Sequence, residues 1–428
     1  MTILLLGAGG REHTLTWKLR QSPQCGVLYC APGNPGTARA GATNVPDLSP
    51  TDPAAVVAFT RERRVDLVVV GPEAPLVAGV TDALRAAADL RHVIVVGPGR
   101  DGARLEGSKA WAKEFMRRNG IPTAASRTFA VAEADEARAY LRGHALPVVL
   151  KADGLAAGKG VVVAQSHEEA EEALAAMLGG QFGEAGHTVV VEEFLAGREL
   201  SAFILTGGEG FVLLPTAQDY KRIGAGATGP NTGGMGAISP APAADEPFMQ
   251  RVRSEIIEPT LAGLRAEKIA YQGFIFIGLM RVGDAPMVIE YNVRLGDPET
   301  QAILPRLTSD LVELFQAMHQ RRMAYVALHT DPRPACAVVL AAGGYPGEYA
   351  TGHPIQGLAQ AEAQPETLVF HAGTTADPAP DGGYRTAGGR VLAVVARADT
   401  PAEAAARAHH AAALIRWEGV YRREDVGA

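Results

Sequence analysis

The sequence predicts an α/β protein of about three domains, a number that its 428 residues allow. Three observations carry that reading. Over residues 1–101, short β-branched runs end in glycine turns and lead into amphipathic stretches, the pattern of a parallel-sheet, Rossmann-like domain. Over 102–328, longer strands and helices surround a glycine-rich segment, Pro147–Ala164, bracketed by Val148-Val149-Leu150 and Val161-Val162-Val163. Over 329–428, three apolar runs and an alanine-rich helix follow the break at Asp331-Pro332-Arg333-Pro334, which reads as a separate small α+β domain.

Ile3–Leu6 is the first expected strand. The turn Gly7-Ala8-Gly9-Gly10-Arg11-Glu12 follows, then a helix with Leu15 and Leu19 on one face. Val27–Cys30, Asp66–Val70 and Val93–Val96 are the next strands. They end in turns that contain Gly33-Asn34, Gly71-Pro72-Glu73 and Gly97-Pro98. Ligands of parallel sheets sit outside the carboxyl ends of the strands, so Arg11, Asn34 and Glu73 are candidates. The first turn resembles a dinucleotide fingerprint, but Glu12 stands at the third glycine position. A phosphate on a small substrate suits its N–H groups and Arg11 better than a nicotinamide cofactor does. Glycine turns without any ligand are the alternative.

Ser108 is expected to cap a helix over 109–119, and a lid subdomain is expected at about 122–192. Within it, Gly154, Gly158 and Gly160 allow consecutive backbone N–H groups to face one anion, and Lys151 and Lys159 add positive charge. This is not a Walker loop: three residues separate Gly154 from Gly158, and Gly160 replaces the hydroxyl residue. A hairpin closing over a polyphosphate is expected, with a ligand-free lysine-bearing hairpin as the alternative. Ser166 and Glu169 form a capping box for a helix to about Leu178. Thr188–Val191 is a strand ending in Glu192-Glu193-Phe194-Leu195, and Leu200–Leu205 and Phe211–Leu214 are further strands.

Residues 218–240 are rich in glycine and lack periodicity, so they read as a long functional loop with Lys221, Arg222, Asn231 and Thr232 as contacts. A helix bent around Pro259 follows. Gly273–Met280 and Met287–Tyr291 read as paired strands. Alternation places Glu290, Asn292 and Arg294 on one face of the second and Ile289, Tyr291 and Val293 on the other. A carboxylate beside an amide oxygen makes a pair of hard ligands suited to Mg²⁺, and Arg294 can grip a carboxylate or phosphoryl group. A merely solvated face is the alternative. Gly296-Asp297-Pro298-Glu299 ends the strand and opens a helix with Pro298 near its first position. In the last domain Ala335–Ala342, Thr367–His371 and Arg390–Ala396 are strands, Pro401–Ile415 is a helix, and Asp377–Gly383 is a loop.

A net charge of −7 argues against nucleic acid or an anionic membrane as partner. No apolar run reaches the ~18 residues of a spanning helix. Three cysteines without CxxC spacing read as buried thiols of a cytoplasmic protein.

These pieces occur in the order found in ATP-grasp ligases. The chain resembles, within them, the phosphoribosylamine–glycine ligases (glycinamide ribonucleotide synthetases) of purine biosynthesis. The stretches that carry the resemblance are GAGGREH at 7–13, APGNPGTA at 31–38, VGPEAPLVAG at 70–79, LEGSKAW at 105–111, KADGLAAGKGV at 151–161, GPNTGGMGA at 229–237, NVRLGDPETQ at 292–301 and LAAGGYPG at 340–347. The resemblance implies an ATP-grasp fold between the two flanking domains. It also implies ligation of glycine to 5-phosphoribosylamine through a glycyl phosphate, with ATP and Mg²⁺ or Mn²⁺. Lys109, Lys151, Gly154, Gly158, Lys159 and Gly160 would then contact the ATP phosphates. Glu192, Glu193, Phe194 and Leu195 would form the adenine hinge, and Glu199 would hold the ribose. Glu290 and Asn292 would bind the metal. Lys151 and Arg294 would act in catalysis, Arg294 orienting the glycine carboxylate. Gly9, Gly10, Arg11, Asn34, Glu73, Asn231, Thr232 and Asp297 would line the substrate side. No further enzyme follows residue 428, so a stand-alone, bacterial-type, monomeric form is expected.

Overall fold

The computed structural model describes residues 1–155, 160–378 and 382–428. Strands β1 (Thr2–Gly7), β2 (Val27–Pro32), β3 (Thr43–Asn44), β4 (Leu67–Val70) and β5 (Ile94–Val96) form a parallel sheet in the order β3-β2-β1-β4-β5. Alternate residues of β1 and β4 enter two cores. Leu4, Leu6, Val68 and Val70 pack with Leu200, Ile275 and Tyr291, whereas Ile3, Leu5, Leu67 and Val69 pack with Phe203, Phe274 and Phe315. The N-terminal sheet is therefore anchored by both faces to the middle of the chain.

The middle of the chain holds two four-stranded antiparallel sheets. One comprises β6 (Ser126–Ala130), β7 (Val148–Ala152), β8 (Val161–Ala164) and β9 (Thr188–Glu193) in the order β6-β9-β7-β8. It has its own small core around Phe129, Leu150, Leu174 and Val191. The other comprises β10 (Arg198–Thr206), β11 (Phe211–Leu213), β16 (Gly273–Val282) and β17 (Ala285–Asn292), in the order β11-β10-β16-β17. Ser108 caps the helix Lys109–Arg118, its Oγ accepting from Trp111 N–H at 3.1 Å. The expected box at Ser166 is only half formed: Ser166 Oγ accepts from Glu169 N–H, but Glu169 itself accepts from Gln165 N–H.

Residues 218–240 are not the loop that their composition suggests. They contain β12 (Gln218–Asp219), β13 (Arg222–Gly224), β14 (Thr228–Asn231) and β15 (Gly236–Ser239). β13 and β14 form a ribbon, and β12 and β15 join the C-terminal sheet. With β18 (Ala335–Ala341), β20 (Thr367–His371) and β23 (Arg390–Arg397) they give the main C-terminal sheet the order β12-β15-β18-β23-β20, while β19 (Pro354–Ile355), β21 (Thr374–Ala376) and β22 (Tyr384–Thr386) form a separate sheet in the order β19-β22-β21. In the main sheet a glycine serves close pairing: a Cβ at Gly236 would lie 2.6 Å from the Ala337 carbonyl oxygen. The last hundred residues are thus not a self-contained module, since two of the five strands in that sheet come from the middle of the chain. Pro298 takes the cap position before the short helix Glu299–Ile303, not the first helical position. All three cysteines are free and buried, and among the described residues no helix is long and apolar enough to cross a membrane.

Candidate active site

The N-terminal turn is built around Glu12. Its Oε2 accepts from Gly9 N–H at 2.6 Å and its Oε1 from Arg11 Nε at 2.6 Å. The first turn therefore spends on a protein carboxylate an amide that a dinucleotide pyrophosphate would need. Gly7, at φ +124°, leaves room for this: a Cβ there would sit 2.6 Å from Glu12. Gly10 likewise admits Gln301, whose Nε2 would lie 2.6 Å from an added Cβ. Arg11 also donates from Nη1 to the Leu295 carbonyl at 3.1 Å and from its backbone N–H to Asp297 Oδ2 at 3.3 Å. Asn34 is committed to backbone: Nδ2 donates to Ala8 O at 2.7 Å and His371 O at 3.0 Å, and Oδ1 accepts from Thr37 N–H.

Arg294 reaches the same place from the end of β17. It donates from Nε to Glu73 at 3.2 Å, from Nη2 to Glu106 at 2.7 Å and from Nη1 to Leu295 O at 3.3 Å. Both arginines thus converge on one carbonyl. Burial pushes the Glu106 carboxyl up to about 7, against the pull of Arg294. Burial also works against charge on Glu73 and Arg294, but is outweighed: Arg294 and Arg11 hold Glu73 below its usual range, and Glu106 and Glu73 hold Arg294 above its own.

Glu290 and Asn292 lie on β17, both half-buried. Gly278 pairs with Glu290 but Leu279 with Val288, so Ile289 is an inserted residue. This bulge re-aims the side chains around it. Val288, Tyr291 and Val293 consequently share one core, while Ile289 is half-buried and offers its carbonyl to Lys151 Nζ at 3.0 Å. Tyr291 and Val293 match the expected inner face, but Ile289 does not join them. Lys221 pairs with Glu199 and lies 3.7 Å from Glu290 Oε1. Burial drives Asp219 well above its usual range against Lys221, with Glu299 and Glu199 adding to the rise. Glu290 stays below its own range because Lys221, Lys151 and Lys109 outweigh burial. Among the described residues no group of three or more His, Cys, Asp or Glu side chains could hold a metal. A divalent ion at Glu290 and Asn292 would have to complete its shell with phosphate and water oxygens, as Mg²⁺ commonly does.

The expected adenine hinge, Glu192–Leu195, begins at the end of β9. Glu192 Oε2 is 3.0 Å from Lys151 Nζ and 3.1 Å from Lys113 Nζ, whereas Glu192 Oε1 is buried without a hydrogen-bond partner. An orphaned buried acceptor fits the exocyclic amine of adenine. Glu193 accepts from Ala125 N–H, Phe194 is exposed and Leu195 is half-buried. Lys109 Nζ donates to Gly154 O at 2.8 Å. Gly160 is buried and Gly154 sits at φ +89°. Gly158 and Lys159 lie outside the described residues, as does most of the expected lid turn. Thr232 donates from Oγ1 to Lys221 O and accepts from Gly234 N–H, so it shapes the ribbon; Asn231 faces Arg222 across it.

Sequence reasoning missed Glu106, Lys113, Asp219 and Glu299. Lys113 carried a signal, since it follows Lys109 by one helical turn. Glu106, Asp219 and Glu299 find their partners only through tertiary contact.

Residues 1–106, 107–300 and 335–428 match the N domain, the ATP-grasp (A) domain and the C domain of phosphoribosylglycinamide synthetase. Phosphoribosylamine–glycine ligases of Vibrio cholerae and Yersinia pestis are each 49% identical over 100% of this chain and 98% of theirs. The crystal structure of a Thermotoga maritima phosphoribosylamine–glycine ligase superposes with a TM-score of 0.82 at 34% identity, over 99% of this chain and 100% of that one. A Campylobacter jejuni biotin carboxylase shares the fold at a TM-score of 0.72 and 16% identity, over 100% of this chain and 94% of that one. The chain belongs to the phosphoribosylglycinamide synthetase family.

Proposed function

We propose that this chain joins glycine to 5-phosphoribosylamine, converting ATP to ADP and phosphate and giving glycinamide ribonucleotide. The observation that carries the reading is one continuous path along β17. Glu290 lies among Lys221, Lys151 and Lys109, and Arg294, two residues past the Asn292 end of β17, donates to Glu73 and shares the Leu295 carbonyl with Arg11. One strand thus connects a nucleotide end to a substrate end.

A glycine carboxylate is a poor electrophile and needs activation. In our reading ATP phosphorylates it to glycyl phosphate, and the ribosylamine nitrogen then attacks the carbonyl carbon and expels phosphate. Glu192–Leu195 receives the adenine and Glu199 the ribose. Lys109, Lys151 and Gly154 would contact the phosphates, as would Gly158 and Lys159 of the glycine turn, which lie outside the described residues, and Gly160. The Glu290 carboxylate and the Asn292 amide oxygen would hold Mg²⁺ or Mn²⁺, which would supply neutralising charge for the phosphates. Arg294 orients the glycine carboxylate by exchanging one partner. Glu73 is the exchangeable one, being partly exposed, while buried Glu106 stays. Gly9, Gly10, Arg11, Asn34, Glu73 and Asp297 form the phosphoribosylamine side, with Asn231 and Thr232 at its edge. The domain limits that go with this reading are 1–101, 102–328 and 329–428.

The test is ADP release with glycine and fresh phosphoribosylamine, each omitted in turn. Release that ignores either omission sinks the ligase reading. Hydroxylamine added without phosphoribosylamine should yield glycine hydroxamate, and its absence would remove the glycyl phosphate. The reading includes a cytoplasmic monomer, and the net charge of −7 supports its binding neither nucleic acid nor an anionic membrane. Elution well ahead of a 44.8 kDa globular standard would count against the monomer.

A further inference from the structure

Lys113 has no place in the reaction described above, yet its ammonium is fully engaged. It donates to Thr123 Oγ1 at 2.8 Å and to Ala124 O at 3.1 Å, and it lies 3.1 Å from Glu192 Oε2. Thr123 is itself tied to the Val288 carbonyl at 2.7 Å. The three contacts use the three protons of the ammonium. They fix it between the helix Lys109–Arg118, the entry to the lid and the end of β9. The side chains of Lys113 and Glu192 are 7% and 4% exposed, so water cannot substitute for either partner.

Both ammonium groups near Glu192 take the same oxygen. Lys151 lies 3.0 Å from Oε2 and Lys113 3.1 Å from it, and neither reaches Oε1. Pinning one carboxylate oxygen fixes the direction of the other. Lys151 is the less dependable pin, because its proposed task is to meet phosphates. Lys113 has no such competing task.

From this geometry we infer that Lys113 is a specificity-determining positioning residue: by holding Glu192 Oε2 it aims Oε1 at the exocyclic amine of the base, and so sets the preference for a 6-aminopurine over a 6-oxopurine nucleotide. This rests on the reading that the base lies at Glu192–Leu195. A 6-oxo group brings an acceptor against an acceptor, and a site built for a donor rejects its absence strongly. If Glu192 is free to turn, it can take a partner elsewhere and the rejection weakens.

The test measures binding of Mg-ADP and Mg-IDP by calorimetry to the whole chain. It is repeated as the kcat/KM ratio for ATP against ITP in the glycine- and phosphoribosylamine-dependent reaction. Lys113→Met should lower the ADP-to-IDP preference by about tenfold or more, the scale of a hydrogen bond to a charged group. The change should appear as a raised KM for ATP with kcat little altered. Thr123→Val removes one anchor of Lys113 and leaves every hinge side chain in place. It should lower the preference about threefold, and it decides the matter if Lys113→Met fails to fold. A preference unchanged in the folded variants, with both nucleotides weakened alike, would show a purely structural lysine and overturn the inference. Parent protein that binds neither nucleotide would overturn the underlying functional reading instead.

Discussion

The two ends of the cleft carry opposite imbalances of charge. At the hinge, two buried ammonium groups, Lys113 and Lys151, share the single carboxylate of Glu192. Beneath the phosphate side, one half-exposed ammonium, Lys221, serves Glu199 and Glu290 directly and is felt by Asp219 and Glu299. Burial drags Lys113 down to about 8 at the hinge, whereas Asp219 and Glu299 are driven up at the other end. In the proposed reading the hinge lacks a neutral donor for one orphaned oxygen, and the four carboxylates around Lys221 leave room for further positive charge. A purine amine answers the first need and a divalent cation the second. In the proposed reading, these two needs place the base at one end of a nucleotide and the phosphates at the other.

The comparison breaks most visibly if the metal end tolerates loss of a carboxylate. Glu290→Ala should reduce turnover by roughly 10²- to 10³-fold, with partial recovery at high Mg²⁺ and an intact fold. Wild-type turnover at limiting Mg²⁺ would remove Glu290 from the metal site. Lys151→Met should slow single-turnover phosphoryl transfer at saturating ATP by roughly 10²-fold, the scale of one preorganised electrostatic contact. An unchanged rate would leave Lys151 only its contacts with Glu192 and Ile289.

Stability sharpens the same contrast, because neutralising one carboxylate should act in opposite directions at the two ends. Glu192→Gln leaves two buried ammonium groups without a counter-charge and should cost about 3–5 kcal/mol. Asp219→Asn relieves repulsion among carboxylates that share one lysine. It should be neutral or stabilise by up to about 1 kcal/mol. Urea unfolding of both variants beside the parent checks the signs. Two losses of equal size would mean that the charge imbalance is not what separates the two ends.

Much of this arrangement was legible in the sequence, for physical reasons that also mark where legibility stopped. β-branched runs located the strands of the N-terminal sheet and of β16 and β17, because side-chain period and burial coincide there. Glu290, Asn292 and Arg294 stood out because a strand face with three polar side chains contradicts a buried sheet. The bulge at Ile289 did not show, since an inserted residue leaves the local pattern apolar. The strands within 218–240 were hidden for a related reason. Their glycines look like loop residues, whereas Gly236 is there to let β15 lie against Ala337 and Val426. Lys113 offered only its spacing from Lys109 and Glu106 offered nothing, because their meaning lies in distant partners, Glu192 and Arg294.

The remaining expected effect, and the one that bears most directly on the contrast, is the pH dependence of stability. Lys113 falls from 10.5 to about 8 in the folded protein because burial penalises its charge. Between those values the unfolded chain binds more protons there than the folded one, so stability rises with pH. The contribution is fully present above 10.5 and is lost as pH falls through about 8. Asp219 has the opposite sign. Its folded value lies well above 3.8, so its contribution is fully present below 3.8 and is lost as pH rises through the folded value. His13 and His371, lowered to about 3 and 4 by burial, add an acid-side loss of stability at the contact between the N-terminal turns and β20. That background is common to parent and variants, so it cancels in differences. One proton contributes at most about 1.4 kcal/mol per pH unit. Urea midpoints for the parent, Lys113→Met and Asp219→Asn from pH 4 to 10 would resolve this. Lys113→Met should flatten the curve only on the alkaline side, and Asp219→Asn only toward acid. Parallel curves for all three would mean that neither group titrates with folding, and the opposed charge balance of the two ends would lose its thermodynamic basis.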